Sequence, residues 1–336
     1  MSPYDAVLAI HKIKEISAAL GNAPDSIEFI WHGGEPMLMG TEFYKKTAGL
    51  LEKRFPKIKF KHTMQSNLLL FDKKKWAGSF AELFHWNVST SYDFFSSFRQ
   101  LPSGDDYYEK WKRKLFELRD AGYPSYMDIH SICVLSKQNC LKLNEIHDKI
   151  IEDDLGIEIK LNNFYAVGRG ALKKDIALTP DEYGACMEKA VRIWGLDNKV
   201  SLSQAGQFRN FIESKEGEND SLYKLPCPHY NNCVGYIFGI EPDGAIYNCS
   251  EMADISAIKP SFNYIFGNFH KKGLHYGNIA TLKASQSIPD GECLKCGICG
   301  GGCKKQKLLL NGTLDGKTPY CGAWKRIYKT VKSLLK

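Results

Sequence analysis

The sequence lacks several things, and each absence removes a class of function. No apolar run is long enough to cross a bilayer, so no membrane partner is expected. The opening stretch "MSPYDAVLAIHKIKEISAAL" carries Asp5 and Glu15 inside a helical pattern and does not have the layout of a secretory leader, which predicts a cytoplasmic protein. Charge of one sign is also missing: 45 Lys and Arg against 38 Asp and Glu leave +7 over 336 residues, spread too evenly for a nucleic-acid surface. There is no internal repeat and no low-complexity tract. Cysteine is scarce along most of the chain, since of the 11 only Cys133, Cys140 and Cys186 precede residue 227.

What is present in the first part is an alternation of helical and strand patterns. Ser2-Pro3 reads as a helix start, and Val7, Ile10, Ile13, Ile16 and Leu20 form one apolar face that Gly21-Asn22 ends. "SIEFIWH", "IKFKHTMQSN", "HWNVSTSYD", "SYMDIHSICVLS" and "GIEIKLNNFYAVGRG" read as five strands. Helices are predicted over 42–53, 107–120 and 141–153, and this spacing implies parallel βαβ units. Two more helices, around 180–195 and 203–212, lead into the polar stretch "ESKEGENDS", which has nothing to bury. The composition therefore divides the chain into a domain over 1–212, a linker over 213–226, a cysteine-rich domain over 227–323 and a basic helix over 324–336.

The remaining eight cysteines carry the strongest signal. Cys293-x2-Cys296-x2-Cys299-x3-Cys303 has the spacing of a bacterial ferredoxin run, in which three thiolates hold one iron–sulfur cluster and the fourth reaches a second. The second cluster then needs three more ligands, supplied upstream by Cys227, Cys233 and Cys249, and the first needs one, supplied by Cys321. Two structural zinc sites are the alternative, because zinc also takes four thiolates at Cys-x2-Cys spacings. Cys133, Cys140 and Cys186 read as packing residues.

Taken together, the motifs resemble the radical S-adenosylmethionine (SAM) enzymes with a C-terminal SPASM domain, the group of anaerobic sulfatase-maturating enzymes and many peptide maturases. The carriers are Gly33-Gly34-Glu35-Pro36, similar to that family's GGEP; "QSN" at 65–67, similar to Gln-Thr-Asn-Gly; "SYD" at 91–93; and the cysteine order from Cys227 to Cys321. The resemblance implies a partial (β/α)6 barrel of TIM type missing its first strand, followed by a small α+β SPASM domain. It implies that Gly33, Gly34 and Glu35 hold the amino group of SAM, an ammonium that needs a carboxylate and closely approaching backbone. Ser91 falls where the family bonds SAM near the ribose, and Arg99 with Gly104 resembles an Arg-x4-Gly; the ordinary readings are a strand-end cap and a surface arginine. His32 and Gln65, beside these motifs, are expected at the mouth of the sheet. Two [4Fe-4S] auxiliary clusters, a peptide or protein substrate, and an electron donor such as flavodoxin or ferredoxin complete what the resemblance implies.

Two departures accompany the match. The family's Cys-x3-Cys-x2-Cys triplet, which holds the cluster that cleaves SAM to a 5′-deoxyadenosyl radical, has no counterpart; Cys299-x3-Cys303 begins that spacing, but Gln306 stands third. Catalytic residues are thus not identifiable, and this chain alone is expected to be unable to cleave SAM. Three explanations are open: a true start upstream of Met1, a non-catalytic iron–sulfur scaffold or partner subunit, or a remnant. Retention of Glu35, Ser91 and the eight cysteines favours the first. The second departure follows Cys249, where sulfatase-maturating members carry an aspartate and this chain has Ser250 and Glu251. In a strand, Glu251 would point away from that position, so a modification other than formylglycine formation is expected, such as a crosslink or thioether.

Overall fold

The computed structural model describes residues 1–195, 200–215, 227, 233–286 and 291–336. Of the expected linker over 213–226, residues 216–226 lie outside the described residues. Contacts divide the chain into two compact units, and the division does not run along the composition boundaries: Asp25–Phe164 with Lys189–Gly206 form one, and Met1–Pro24, Tyr165–Glu188 and Gln207–Lys336 form the other.

The first unit is built on a parallel six-stranded sheet in the order β1 to β6. Its strands are β1 (Ser26–Trp31), β2 (Lys59–Gln65), β3 (Val88–Ser91), β4 (Ile129–Leu135), β5 (Ile157–Asn163) and β6 (Ser201–Leu202). The helices between them are α2 (Thr41–Arg54), α3 (Lys73–Glu82), α4 (Tyr107–Asp120), α5 (Lys137–Cys140) and α6 (Leu143–Glu152). In the centre of the sheet β4 and β5 bury every second side chain, Ile129, Ser131, Cys133 and Leu135 on one and Ile157, Ile159, Leu161 and Asn163 on the other. Cys133 is a fully buried packing residue.

Local chemistry sets the helix boundaries. Asp106 accepts from the N–H groups of Tyr108 and Glu109 to start α4, and Trp111, Leu115 and Leu118 form its buried stripe. Burying each such side chain contributes about 1.5–3 kcal/mol. The helix expected over 141–153 begins later, at Leu143, because Asn139 closes a separate turn: its Oδ1 accepts from Ser136 N at 2.8 Å and its Nδ2 donates to the Val134 carbonyl at 2.9 Å. Helix α3 was not marked by the sequence pattern because three lysines open it, yet Asp72 caps it and Trp76 and Phe80 bury one face. The sixth strand has only two residues and no readable period. Its pairing is continued by the Gln204 side chain, which bonds both the N–H and the carbonyl of Leu161 at 3.2 and 2.7 Å.

The second unit contains an antiparallel three-stranded sheet of β7 (Gly239–Ile240), β8 (Ala245–Tyr247) and β9 (Ile265–Asn268). The Pro-Asp-Gly turn joins the first two, with Gly244 at φ 91°. Against β9 packs α1 (Pro3–Ala19), started by a capping box in which Ser2 and Asp5 bond each other's backbone N–H. The other helices are α7 (Pro180–Trp194) and α8 (Ser203–Lys215), which run across the unit boundary, then α9 (Ser250–Ile258), α10 (Tyr276–Ala284), α11 (Gly291–Cys296), α12 (Lys304–Asn311) and α13 (Cys321–Leu334). Within this unit α13 lies close to α7, where a Cβ on Gly184 would come within 2.9 Å of Ala323 Cα. No helix among the described residues is long and apolar enough to cross a membrane.

Candidate functional site

Three adjacent strands of the parallel sheet end at the motifs singled out in the sequence: β1 before Gly33-Gly34-Glu35, β2 at Gln65, and β3 at Ser91. The C-terminal ends of parallel strands are where ligands collect in such sheets. Gly33 takes φ 97°, a left-handed conformation that only glycine adopts without strain. Glu35 then caps a single 3-10 turn, Pro36–Met39, and the Tyr44 hydroxyl fastens that turn by donating to the Pro36 carbonyl at 2.7 Å.

The Glu35 carboxylate is fixed by donors from two turns. Oε1 accepts from Met37 N at 2.9 Å and from Ser66 Oγ at 2.7 Å, while Oε2 accepts from Asn67 N at 3.0 Å. A carboxylate offers about four lone-pair positions, so this network leaves about one for a further donor. The turn supplying Ser66 and Asn67 is itself strained: buried Leu68 sits at φ 61°. That position is glycine in the Gln-Thr-Asn-Gly motif that this turn resembles, and glycine takes such a conformation freely. Gln65 bridges β2 and β3, donating to the Thr90 carbonyl at 2.8 Å and accepting from Ser89 Oγ. His32 is exposed just beyond β1.

Ser91 and Arg99 come together. Arg99 donates from its terminal nitrogens to Ser91 Oγ at 3.0 Å and to the Tyr107 hydroxyl at 3.3 Å, and from Nε to Asp93 Oδ2 at 2.8 Å. Asp93 is buried and also accepts from Val134 N at 2.8 Å through Oδ1. Arg99 is therefore an internal cation paired with a buried carboxylate, not a loose surface arginine. Gly104 is an exposed turn residue at φ 78°.

The eight cysteines of the last third are in no disulfide. Cys293, Cys296, Cys299 and Cys321 line one cavity, together with Glu292, Lys317 and Lys325. Glu292 is bonded to both lysines at 3.0 Å. In the other set Cys233, Cys249 and Cys303 act on one another electrostatically, and Cys233 accepts from Asn248 Nδ2 at 3.3 Å. Among the described residues, Asn248 Oδ1 is buried with no hydrogen-bond partner. Cys227 is an exposed turn residue whose sequence neighbours lie outside the described residues. Burial pushes the Cys249 and Cys303 thiols up and that of Cys299 up to about 12. Ionising such buried thiols requires a compensating cation, which a bound metal supplies. Of the two expected four-thiolate sets, Cys293, Cys296, Cys299 and Cys321 share one cavity, and Cys233, Cys249 and Cys303 lie within electrostatic reach of one another. Among the described residues no group of three or more His, Cys, Asp or Glu is arranged to hold a single metal ion.

Several residues here gave no sequence signal. Cys303 caps α12, and the next four residues, Lys304, Lys305, Gln306 and Lys307, are all buried. Lys305 pairs with Glu251 at 2.8 Å and lies 3.8 Å from the centre of the Tyr165 ring. Gln306 donates to the Tyr165 hydroxyl at 2.8 Å and accepts from Thr318 at 2.9 Å. Lysine is so strongly a surface residue that nothing in "CKKQK" announces a buried face. Two expectations are corrected. Glu251 lies in the first turn of α9 and not in a strand, because Cys249 ends the extended segment as the helix cap. Cys140 and Cys186 are each disulfide-bonded and not the packing thiols expected.

No protein-family model matches the chain. Its sequence is similar along nearly its whole length to anaerobic sulfatase-maturating enzymes. The serine-type enzyme of Klebsiella aerogenes is 23% identical over 337 residues, covering 96% of this chain and 76% of that protein. The cysteine-type enzyme of Clostridium perfringens is 22% identical over 333 residues, covering 94% and 84%. Among solved structures, native anSMEcpe with bound AdoMet and Cp18Cys peptide superposes with a TM-score of 0.68 at 20% identity, over 96% of this chain and 88% of that one. The same protein with AdoMet alone gives 0.66 at 19% identity, over 96% and 88%. The α/β fold with its parallel six-stranded sheet is the fold of those structures, and the chain's homologues are sulfatase-maturating enzymes.

Proposed function

We propose that this chain is the SAM-binding and auxiliary-cluster portion of a radical SAM maturase acting on a peptide or protein. The observation that carries the reading is the Glu35 carboxylate, fixed by donors from two neighbouring strand-end turns with acceptor capacity left over. An ammonium is the donor that such a carboxylate favours most, since a charge-assisted bond is about twice as strong as a neutral one. Gly33 and Gly34 leave the adjoining backbone uncovered, because a Cβ at either would meet nothing within 4 Å. Ser91, oriented by Arg99, would present its hydroxyl to the ribose. Homologous enzymes that mature sulfatases, and a related structure holding AdoMet and a peptide, support SAM and a peptide as the ligand classes.

The two cysteine sets would hold iron–sulfur clusters, which supply one-electron transfer when bound. In this chain's own terms, the cysteines would bind, Cys293 and Cys299 are buried among them, and Lys305 holds Glu251 in place. Because Ser250, and not an aspartate, directly follows Cys249, the modification proposed is one other than formylglycine formation.

A second reading rests on one sequence observation: the 336 residues contain no Cys-x3-Cys-x2-Cys. Under that reading the chain is a scaffold or partner subunit that does not act on SAM. Equilibrium binding of SAM to anaerobically prepared protein separates the two. Saturable binding weakened in Glu35→Gln supports the maturase reading. No binding, together with co-purification of a complete radical SAM protein, supports the scaffold and overturns the first.

A further inference from the structure

Asn248 follows the last residue of β8, directly precedes Cys249, and is buried at 1% exposure. Its Nδ2 donates to Cys233 Sγ at 3.3 Å, and among the described residues its Oδ1 has no partner. An amide withdrawn from water is costly unless its hydrogen bonds are replaced, and here the replacement is a sulfur. Backbone geometry holds both ends of this bond. The Cys233 carbonyl accepts from Tyr236 N and Ile237 N at 3.1 Å, which closes a turn over 233–237. On the other side the chain just after Asn248 lies against Gly239, where an added Cβ would collide with the backbone of Cys249 and Ser250. That close approach fixes the corner from which the Asn248 side chain reaches the sulfur.

We infer that Asn248 is a positioning residue for the centre assigned to Cys227, Cys233, Cys249 and Cys303: its Nδ2–H fixes the Cys233 sulfur and raises the reduction potential of that centre. The inference rests on the two-cluster reading above. A metal-bound thiolate has lone pairs and no proton, so an amide facing it must present its N–H, which is the orientation found. A four-thiolate iron–sulfur centre gains one negative charge on reduction, and hydrogen bonds to its sulfurs help set its potential. A donor aimed at a sulfur bonds more strongly as that sulfur becomes more negative, so it favours the reduced form. The bond also spans two ligands, because the residue that donates to Cys233 is the chain neighbour of Cys249. Asn248 acts on the centre and not on substrate.

The test is a redox titration of the anaerobically reconstituted full chain, read by electron paramagnetic resonance. Iron and sulfide are measured first: wild-type protein without iron overturns the two-cluster reading itself. Loss of a signal in Cys249→Ser identifies the centre concerned. Asn248→Leu keeps the size of the side chain and removes the donor. It is expected to raise the oxidised-to-reduced ratio of that centre about threefold at fixed potential, about 28 mV for one electron, and to leave the other centre unmoved. A loaded variant whose potential does not move overturns this inference alone. Equal shifts at both centres mark a general loosening of the fold and overturn it as well. Should Asn248→Leu fail to load, wild-type protein carrying nitrogen-15 only in its asparagine side-chain amides decides. Pulsed resonance of the reduced centre is expected to show a nitrogen-15 coupling transmitted through the bond to Cys233, and its absence overturns the inference.

Discussion

Ser66 Oγ donates to Glu35 Oε1 at 2.7 Å, so the turn after β1 is held to the turn after β2 by the carboxylate proposed to hold SAM. The two functions of Glu35 can be separated. Ser66→Ala removes one donor to a charged acceptor and is expected to cost about 2 kcal/mol of stability, with SAM affinity reduced less than in Glu35→Gln. The Gln variant keeps the shape but loses the charge, and its SAM affinity should fall at least tenfold, about 1.4 kcal/mol. Calorimetric titration of both variants checks this; equal SAM affinity in wild type and Glu35→Gln would leave Glu35 a turn staple only.

Arg99 and Asp93 form a partly shielded pair, with side-chain exposures of 20% and 8%. Arg99→Ala strands the Asp93 carboxylate and is expected to cost about 3 kcal/mol. Adding Asp93→Asn to that variant removes the stranded charge and should recover part of the loss. Denaturant melts of the two single variants and the double variant give the coupling; additive losses would contradict the pairing.

Acid stability should respond to His62. Its Nδ1 accepts from Trp31 Nε1 at 3.1 Å, and burial pushes its pKa from 6.5 down to about 4. The folded chain keeps the ring neutral over a range in which the unfolded chain takes up a proton. The stability from this group is therefore complete above about pH 6.5 and is lost as pH falls from 6.5 towards 4, to a limit of about 3 kcal/mol. Melting temperatures between pH 7.5 and 4 should fall more steeply for the wild type than for His62→Gln; parallel curves would contradict the assignment.

Gly302 lies between Cys299 and Cys303 at φ 79°, and a Cβ there would come within 2.4 Å of Thr318 Cγ2. Gly302→Ala therefore combines left-handed strain of about 1 kcal/mol with a steric clash. The variant is expected to lose at least about 2 kcal/mol in all and to load less iron than the wild type. Normal loading and melting would show that the loop can shift without cost.

Much of this arrangement was legible in the sequence. The strands ending at Trp31, Gln65 and Ser91 announce themselves by β-rich runs closed by polar turns, and the cysteine spacings single out Cys293, Cys296 and Cys299, which with Cys321 line one cavity. What was not legible depends on side-chain contacts that no local pattern shows. Arg99 reads as a surface residue until Asp93 and Ser91 are placed around it. The buried face of α12 carries lysines, so hydrophobic patterning describes it as solvent-facing. Strand β6 is too short to have a period, and it is completed by the side chain of Gln204, which no strand pattern includes. Cys140 and Cys186 lack any spacing that would distinguish bonded from free sulfur.

The most direct test of the account is the metal content of the protein purified and reconstituted without oxygen. Two four-thiolate clusters predict about eight irons and about eight acid-labile sulfides per chain, reduced to about half by Cys249→Ser or Cys299→Ser. Tightly bound zinc with no iron, under the same conditions, would contradict the account.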